Sequence, residues 1–171
     1  WPVASEITYG QTLASSTLSD GEASVAGTFA FTASETAPDA GTAEQGVTFT
    51  PADTANYNTA AGTVEVTVNQ ADPVVTTWPV ASEITYGQTL ASSTLSGGEA
   101  SVAGTFAFTA PETAPDAGTA EQGVTFTPAD TANYNTAAGT AEVTVNKADP
   151  VVTTWPVASE IIYGQTLASS T

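Results

Sequence analysis

The chain has 171 residues, with 18 acids against one base, Lys147, a formal charge of −17, and no His, Cys or Met. That charge repels phosphate backbones and anionic lipid, so it argues against nucleic acid and against membrane surfaces as partners. The lack of Cys removes disulfides, thiolate metal sites and thiol catalysis, and no run of about eighteen apolar residues is present to cross a membrane.

In chain order, the pattern is one of strands. In SEITYG, Ile7 and Tyr9 alternate with Glu6 and Thr8. After the turn signal SDGE, Val25, Phe29 and Phe31 share one face of ASVAGTFAFT, with Ala26, Thr28 and Ala30 on the other. APDAG breaks the chain again, and Val47 and Phe49 then point together in QGVTFTP. PADTANYN is the next turn. In GTVEVTVN, Val64, Val66 and Val68 alternate with Thr63, Glu65 and Thr67. Period-two alternation of β-branched and aromatic residues describes strands with one buried face, and no stretch keeps a helical stripe. Asp72-Pro73 then marks a turn into a second β-branched run, VVTT.

At Trp78 the text starts over. Trp1 recurs as Trp78 and Trp155, a step of 77 residues. The first two copies differ only at Asp20/Gly97, Ser34/Pro111, Val64/Ala141 and Gln70/Lys147, and the third copy replaces Thr8 and Thr85 by Ile162. A long period with near-identical copies is the signature of a tandem array. The folding frame is expected to be offset from the textual one: a first unit over residues 1–70 that lacks the ADPVVTT segment, a complete second unit over 71–147, and the start of a third over 148–171. Both ends then fall inside the pattern. With no initiator Met and no basic-apolar leader, any export signal is expected outside this stretch.

Short strands, frequent turns and no helices predict an all-β protein of tandem two-sheet sandwiches. The inward set is Val3, Ile7, Tyr9, Leu13, Leu18, Val25, Phe29, Phe31, Val47, Phe49, Tyr57, Val64, Val66 and Val68, with counterparts in the second copy. At roughly 1.5–3 kcal/mol per fully buried large side chain, that set offsets the ordering entropy narrowly, so contacts between units are expected to help. Trp1, Trp78 and Trp155 admit two readings: packing between units, or closing the core of their own unit.

The motifs ITYGQTL, AGTFAFT, GVTFTPADTANYN and GTVEVTVNQADP, taken together, resemble the Ig-like tandem repeats of very large bacterial surface and secreted proteins, including the group called MBG-type domains. The resemblance spans both copies and the partial third. It implies an Ig-like fold in an extended extracellular array that projects or links, and it brings no catalytic residues with it.

Candidate chemistry is sparse. Glu22, Glu35, Asp39, Glu44 and Asp53 lie among small polar residues, as solvated carboxylates do. Lys147 faces Gln70 across the repeat, so a Ser–Lys nucleophile or a Lys isopeptide crosslink would exist in one unit only. Gln11-Thr12 and Gln45 invite a Thr–Gln ester, but adjacent residues cannot crosslink usefully. We therefore expect no enzyme, no catalytic residue and no cofactor. Calcium is the alternative to weigh, because Asp72, Asp149 and the loops Asp53, Asn56, Asn58 and Asp130, Asn133, Asn135 carry the oxygen ligands it prefers. Those same residues cap turns through side-chain to backbone bonds, and the regular D-x-[DN]-x-[DN]-G loop is absent. The resulting expectation is a structural stalk of a bacterial adhesin or fibre, at the cell surface, its partners being identical units met axially, head to tail. A binding module for glycan or protein, with Trp78 or Tyr134 as its aromatic platform, is the alternative. Residues 149–154 are expected to supply a strand to the open edge of a first unit.

Overall fold

The structure, a computed structural model, describes residues 1–169 and is all-β. The first unit contains β1 (Val3–Ala4), β2 (Ile7–Thr8), β3 (Leu18–Ser19), β4 (Gly27–Phe31), β5 (Gly41–Pro51) and β6 (Ala60–Asn69). Four of them form a sheet in the order β2-β6-β5-β4, with β2 parallel to β6 and the other pairs antiparallel. The strands β1 and β3 pair separately, and their Ala4 and Leu18 pack onto the core of the larger sheet. The result is a two-layer, sandwich-like arrangement.

The second stretch adds β7 (Val75–Thr77) and then repeats the series as β8 (Val80–Ala81), β9 (Ile84–Thr85), β10 (Leu95–Ser96), β11 (Glu99–Ala100), β12 (Gly104–Phe108), β13 (Gly118–Pro128) and β14 (Ala137–Asn146). Its large sheet runs β9-β14-β13-β12 in the same register. Here β7 pairs with β11, a contact with no counterpart at Glu22–Ala23 of the first unit. Residues 148–166 form no strand, so Pro150–Thr154 pairs with neither unit inside this chain.

Each large sheet has its own core. Ile7, Leu13, Val47, Val64, Val66 and Val68 make one; Ile84, Leu90, Phe108, Val124, Ala141, Val143 and Val145 make the other. Leu13 and Leu90 reach the core from single 3-10 turns, Leu13–Ser15 and Leu90–Ser92, which strand periodicity does not reveal. Among the expected core residues, Val25, Phe29 and Phe31 are only partly buried, as are Tyr9 and Leu18. The reason is position. Phe29 lies on β4, the edge of the sheet, where one flank has no neighbour; Phe31, on the same strand, is at the margin of the core, as its counterpart Phe108 at 8% exposed shows; and Val25 falls in the bend before β4. Val3 is 62% and Tyr57 50% exposed, so both leave the inward set: β1 turns Ala4, not Val3, to the core, and Tyr57 sits in a loop.

The tryptophans close their own units. Trp1 meets Phe29 edge-on at 5.9 Å, and Trp78 meets Phe106 at 5.8 Å and packs on the second core. Each indole lies flat over a glycine, Gly62 or Gly139, where any Cβ would collide with the ring. Trp155 is 74% exposed.

Candidate functional site

The site is the joint where the second unit seats on the first. Three segments of the first unit converge there because its sheet brings their ends together: the start of β5 pairs with the end of β6 at Gly41 and Val68, and Thr8 of β2 pairs with Asn69. The turn Thr8–Gln11 follows directly. Gly10 takes φ 90, which a glycine adopts without a Cβ clash, and the Gln11 side-chain oxygen accepts the Thr8 N–H at 2.7 Å. Gln11 is thus a turn cap, and the turn presents Tyr9 at the end of the sheet. Asp39 and Ala40, just before β5, and Gln70 and Ala71, just after β6, complete a shallow socket.

The opposing knob is the loop Asp130–Asn135, between β13 and β14, at the other end of its own sheet. Asp130 organises it, accepting the Asn133 backbone N–H at 3.2 Å and side-chain Nδ2 at 2.9 Å. Asn133 then reaches across the joint. Its Oδ1 accepts the Ala40 N–H at 2.8 Å, its carbonyl accepts the Ala71 N–H at 3.0 Å, and its Nδ2 also approaches Asp39 Oδ1 at 3.5 Å. The residue is 8% exposed, a buried amide with its donors and acceptor used. Gln70 Nε2 donates to the carbonyls of Thr131 and Ala132 at 2.8 and 3.1 Å. Asn135 N–H donates to the Ala71 carbonyl at 2.9 Å, and its side chain donates to Asp72 at 2.7 Å. Tyr9 and Tyr134 meet edge to face at 5.3 Å.

The Tyr9 phenol is pushed above its ordinary 10.0, first by burial, then by Tyr134 and by the carboxylates of Asp130 and Asp39. Asp53, which organises the matching loop of the first unit, is held below its ordinary 3.8, chiefly by the Asn56 side-chain amide.

Of the residues singled out by sequence, Asp72, Asp130, Asn133 and Asn135 do come together. Their carboxylates are taken up by Asn amides, and among the described residues no cluster of three or more His, Asp or Glu is formed. Asp53 and Asn56 bond each other at the far end of the first unit, where Asn58 and Tyr57 are exposed. Glu22, Glu35 and Glu44 are exposed, as are Lys147 and Asp149, while Gln45 is partly buried within β5. Neither Trp78, on its own core, nor Tyr134, in the joint, stands out as a platform. Sequence reasoning missed Tyr9, Asp39 and Gln70 as joint residues; Tyr9 was counted as core. The available signal was Tyr9-Gly10, a turn dipeptide that takes Tyr9 out of strand alternation.

No protein-family model matches the chain, and no curated protein sequence matches it.

Proposed function

We propose that this chain is a structural, non-catalytic segment of a bacterial extracellular fibre or adhesin stalk, built from Ig-like β-sandwich units that repeat every 77 residues. The joint carries this reading. The socket and the knob lie at opposite ends of each sheet, so units joined this way stack along one axis with a fixed polarity. A buried Asn, the side-chain amide of Gln70 and an aromatic pair bridge each step, which resists bending more than a bare linker does. Copy number then sets length, and an acidic surface limits non-specific association. The ADPVVTT segment belongs to the unit that follows it: Val74 bonds Ser101 through both its N–H and its carbonyl, and β7 lies against β11.

The test is small-angle scattering on the intact chain. A rigid two-unit rod gives one narrow maximum dimension, and Asn133→Ala broadens it without loss of β-structure. Two freely jointed units in the unaltered chain would overturn the reading. Calcium is tested by melting with chelator and with millimolar calcium. A rise of several degrees, abolished by Asp72→Ala with Asp149→Ala, would replace the amide-bridged joint by a calcium-rigidified one.

A further inference from the structure

Both halves of the joint are present a second time, unpaired with each other. The knob recurs as Asp53–Asn58 and is already built: Asn56 Nδ2 donates to Asp53 at 2.9 Å and Tyr57 N–H to the Asp53 carbonyl at 3.1 Å, the distances found in the seated loop. The socket recurs at the far end of the second unit as an open cavity of about 420 Å³ lined by Tyr86, Asp116, Ala117, Lys147 and Ala148. These are the counterparts of Tyr9, Asp39, Ala40, Gln70 and Ala71, each of which touches the seated loop. The aromatic members are uncovered, Tyr86 at 54% and Tyr57 at 50%.

We propose that the face formed by Tyr86, Asp116, Ala117, Lys147 and Ala148 takes the Asp53–Asn58 loop of a second copy of this chain. The claim rests on the stalk reading and adds to it a contact between separate molecules. Asn56 takes the place of Asn133, with its Oδ1 accepting the Ala117 N–H. Tyr57 meets Tyr86 edge to face. The one change is informative. Gln70 donates two hydrogen bonds to loop carbonyls; Lys147 has three donors for the corresponding carbonyls of Thr54 and Ala55, and it brings the only side-chain cation of the chain toward a loop held by Asp53. This contact is therefore charge-assisted and sensitive to salt, where the Gln70 joint is not. Because the knob is preformed, docking costs little ordering of the loop. The exposed knob is on the first unit and the open socket on the second, each at the sheet end away from the joint, so the contact does not close on itself and propagates as a filament.

The absence of cysteine makes the test clean. Asn56→Cys with Ala117→Cys places one thiol on the exposed knob and one in the exposed socket of the intact chain. Under mild oxidant it should run as a ladder of dimers and higher species. The internal pair Ala40→Cys with Asn133→Cys should close within one chain and run as a monomer. Raising salt from about 0.05 M to about 0.5 M should slow the ladder about threefold to fivefold, and Lys147→Gln should remove that dependence. A ladder no stronger than that of a mismatched exposed pair, Asn56→Cys with Thr105→Cys, overturns the proposal. If the internal pair closes while the outer pair fails, only this inference falls. If the internal pair also fails to close, the joint and the stalk reading fall with it.

Discussion

The two units are near-copies in sequence, yet the same residue is buried in one and bare in the other. Asn133 is enclosed while Asn56 is exposed; Tyr9 is partly buried while Tyr86 is 54% exposed; Ala100 sits in a paired strand while Ala23 lies in no strand. Each unit is covered by the other at a different end, so each serves as the control for the other. What the difference teaches is that burial at the ends of a unit depends on the unit standing against it. In the middle of the sheets it is a property of the unit, since Val47 and Val124, or Val66 and Val143, are equally enclosed.

That contrast can be broken or sharpened by substitution. The largest effect is expected at Phe126, 1% exposed in the interior of the second sheet. Phe126→Ala should cost about 3–5 kcal/mol in urea unfolding. Phe29→Ala, on the edge strand, should cost distinctly less, and equal losses would show that β4 is enclosed in solution. Next comes the paired test at the joint. Asn133→Ala leaves the Ala40 N–H without its side-chain acceptor, at about 1–3 kcal/mol, while the backbone carbonyl that accepts the Ala71 N–H is kept; Asn56→Ala should stay within about 0.5 kcal/mol. Hydrogen exchange of the Ala40 amide reads this directly. Equal effects at the two asparagines would dissolve the comparison.

Within the cores, Val64 stands where the second unit has Ala141, and both are buried. Val64→Ala should lower the first unit's stability by about 1.5–2 kcal/mol, from two lost methyl groups, read as a lower urea midpoint. Asp20 holds φ 58 where its counterpart Gly97 holds φ 73. Asp20→Gly relieves a left-handed side-chain residue and should stabilise by about 0.5–1 kcal/mol, visible as a small rise in the urea midpoint.

The smallest effect at neutral pH is at Tyr9. Its folded pKa lies above the ordinary value, so its contribution is fully present below about pH 10 and is lost as pH rises through the folded value. The joint should therefore loosen at alkaline pH, seen as faster exchange at Ala40, and Tyr9→Phe should abolish that dependence.

Ser34 and Pro111 show how a difference is absorbed without cost. The Thr36 N–H bonds the Ala33 carbonyl and the Thr113 N–H bonds the Ala110 carbonyl, so both residues occupy the second position of a turn, where proline is favoured. Their carbonyls, which proline retains, accept Ala14 and Ala91.

Much of this was legible from the residues alone. The step of 77 is a matter of spelling, and the period-two alternation around Val47, Phe49, Val64, Val66 and Val68 follows from the pleat, which sends every second side chain to one face. The loop DTANYN was legible as a turn because Asp and Asn bond their own backbone. Which residues receive it was not. Tyr9, Asp39 and Gln70 are far apart in sequence and become neighbours only because β2, β5 and β6 end side by side. Whether Phe29 is core or rim depends on the place of β4 at the sheet edge, and the fate of Asn56 and Asn133, in identical DTANYN segments, depends on whether another unit stands against them. Local pattern determines which face of a strand turns inward; only the assembled sheet, and the unit next to it, determine which ends are covered.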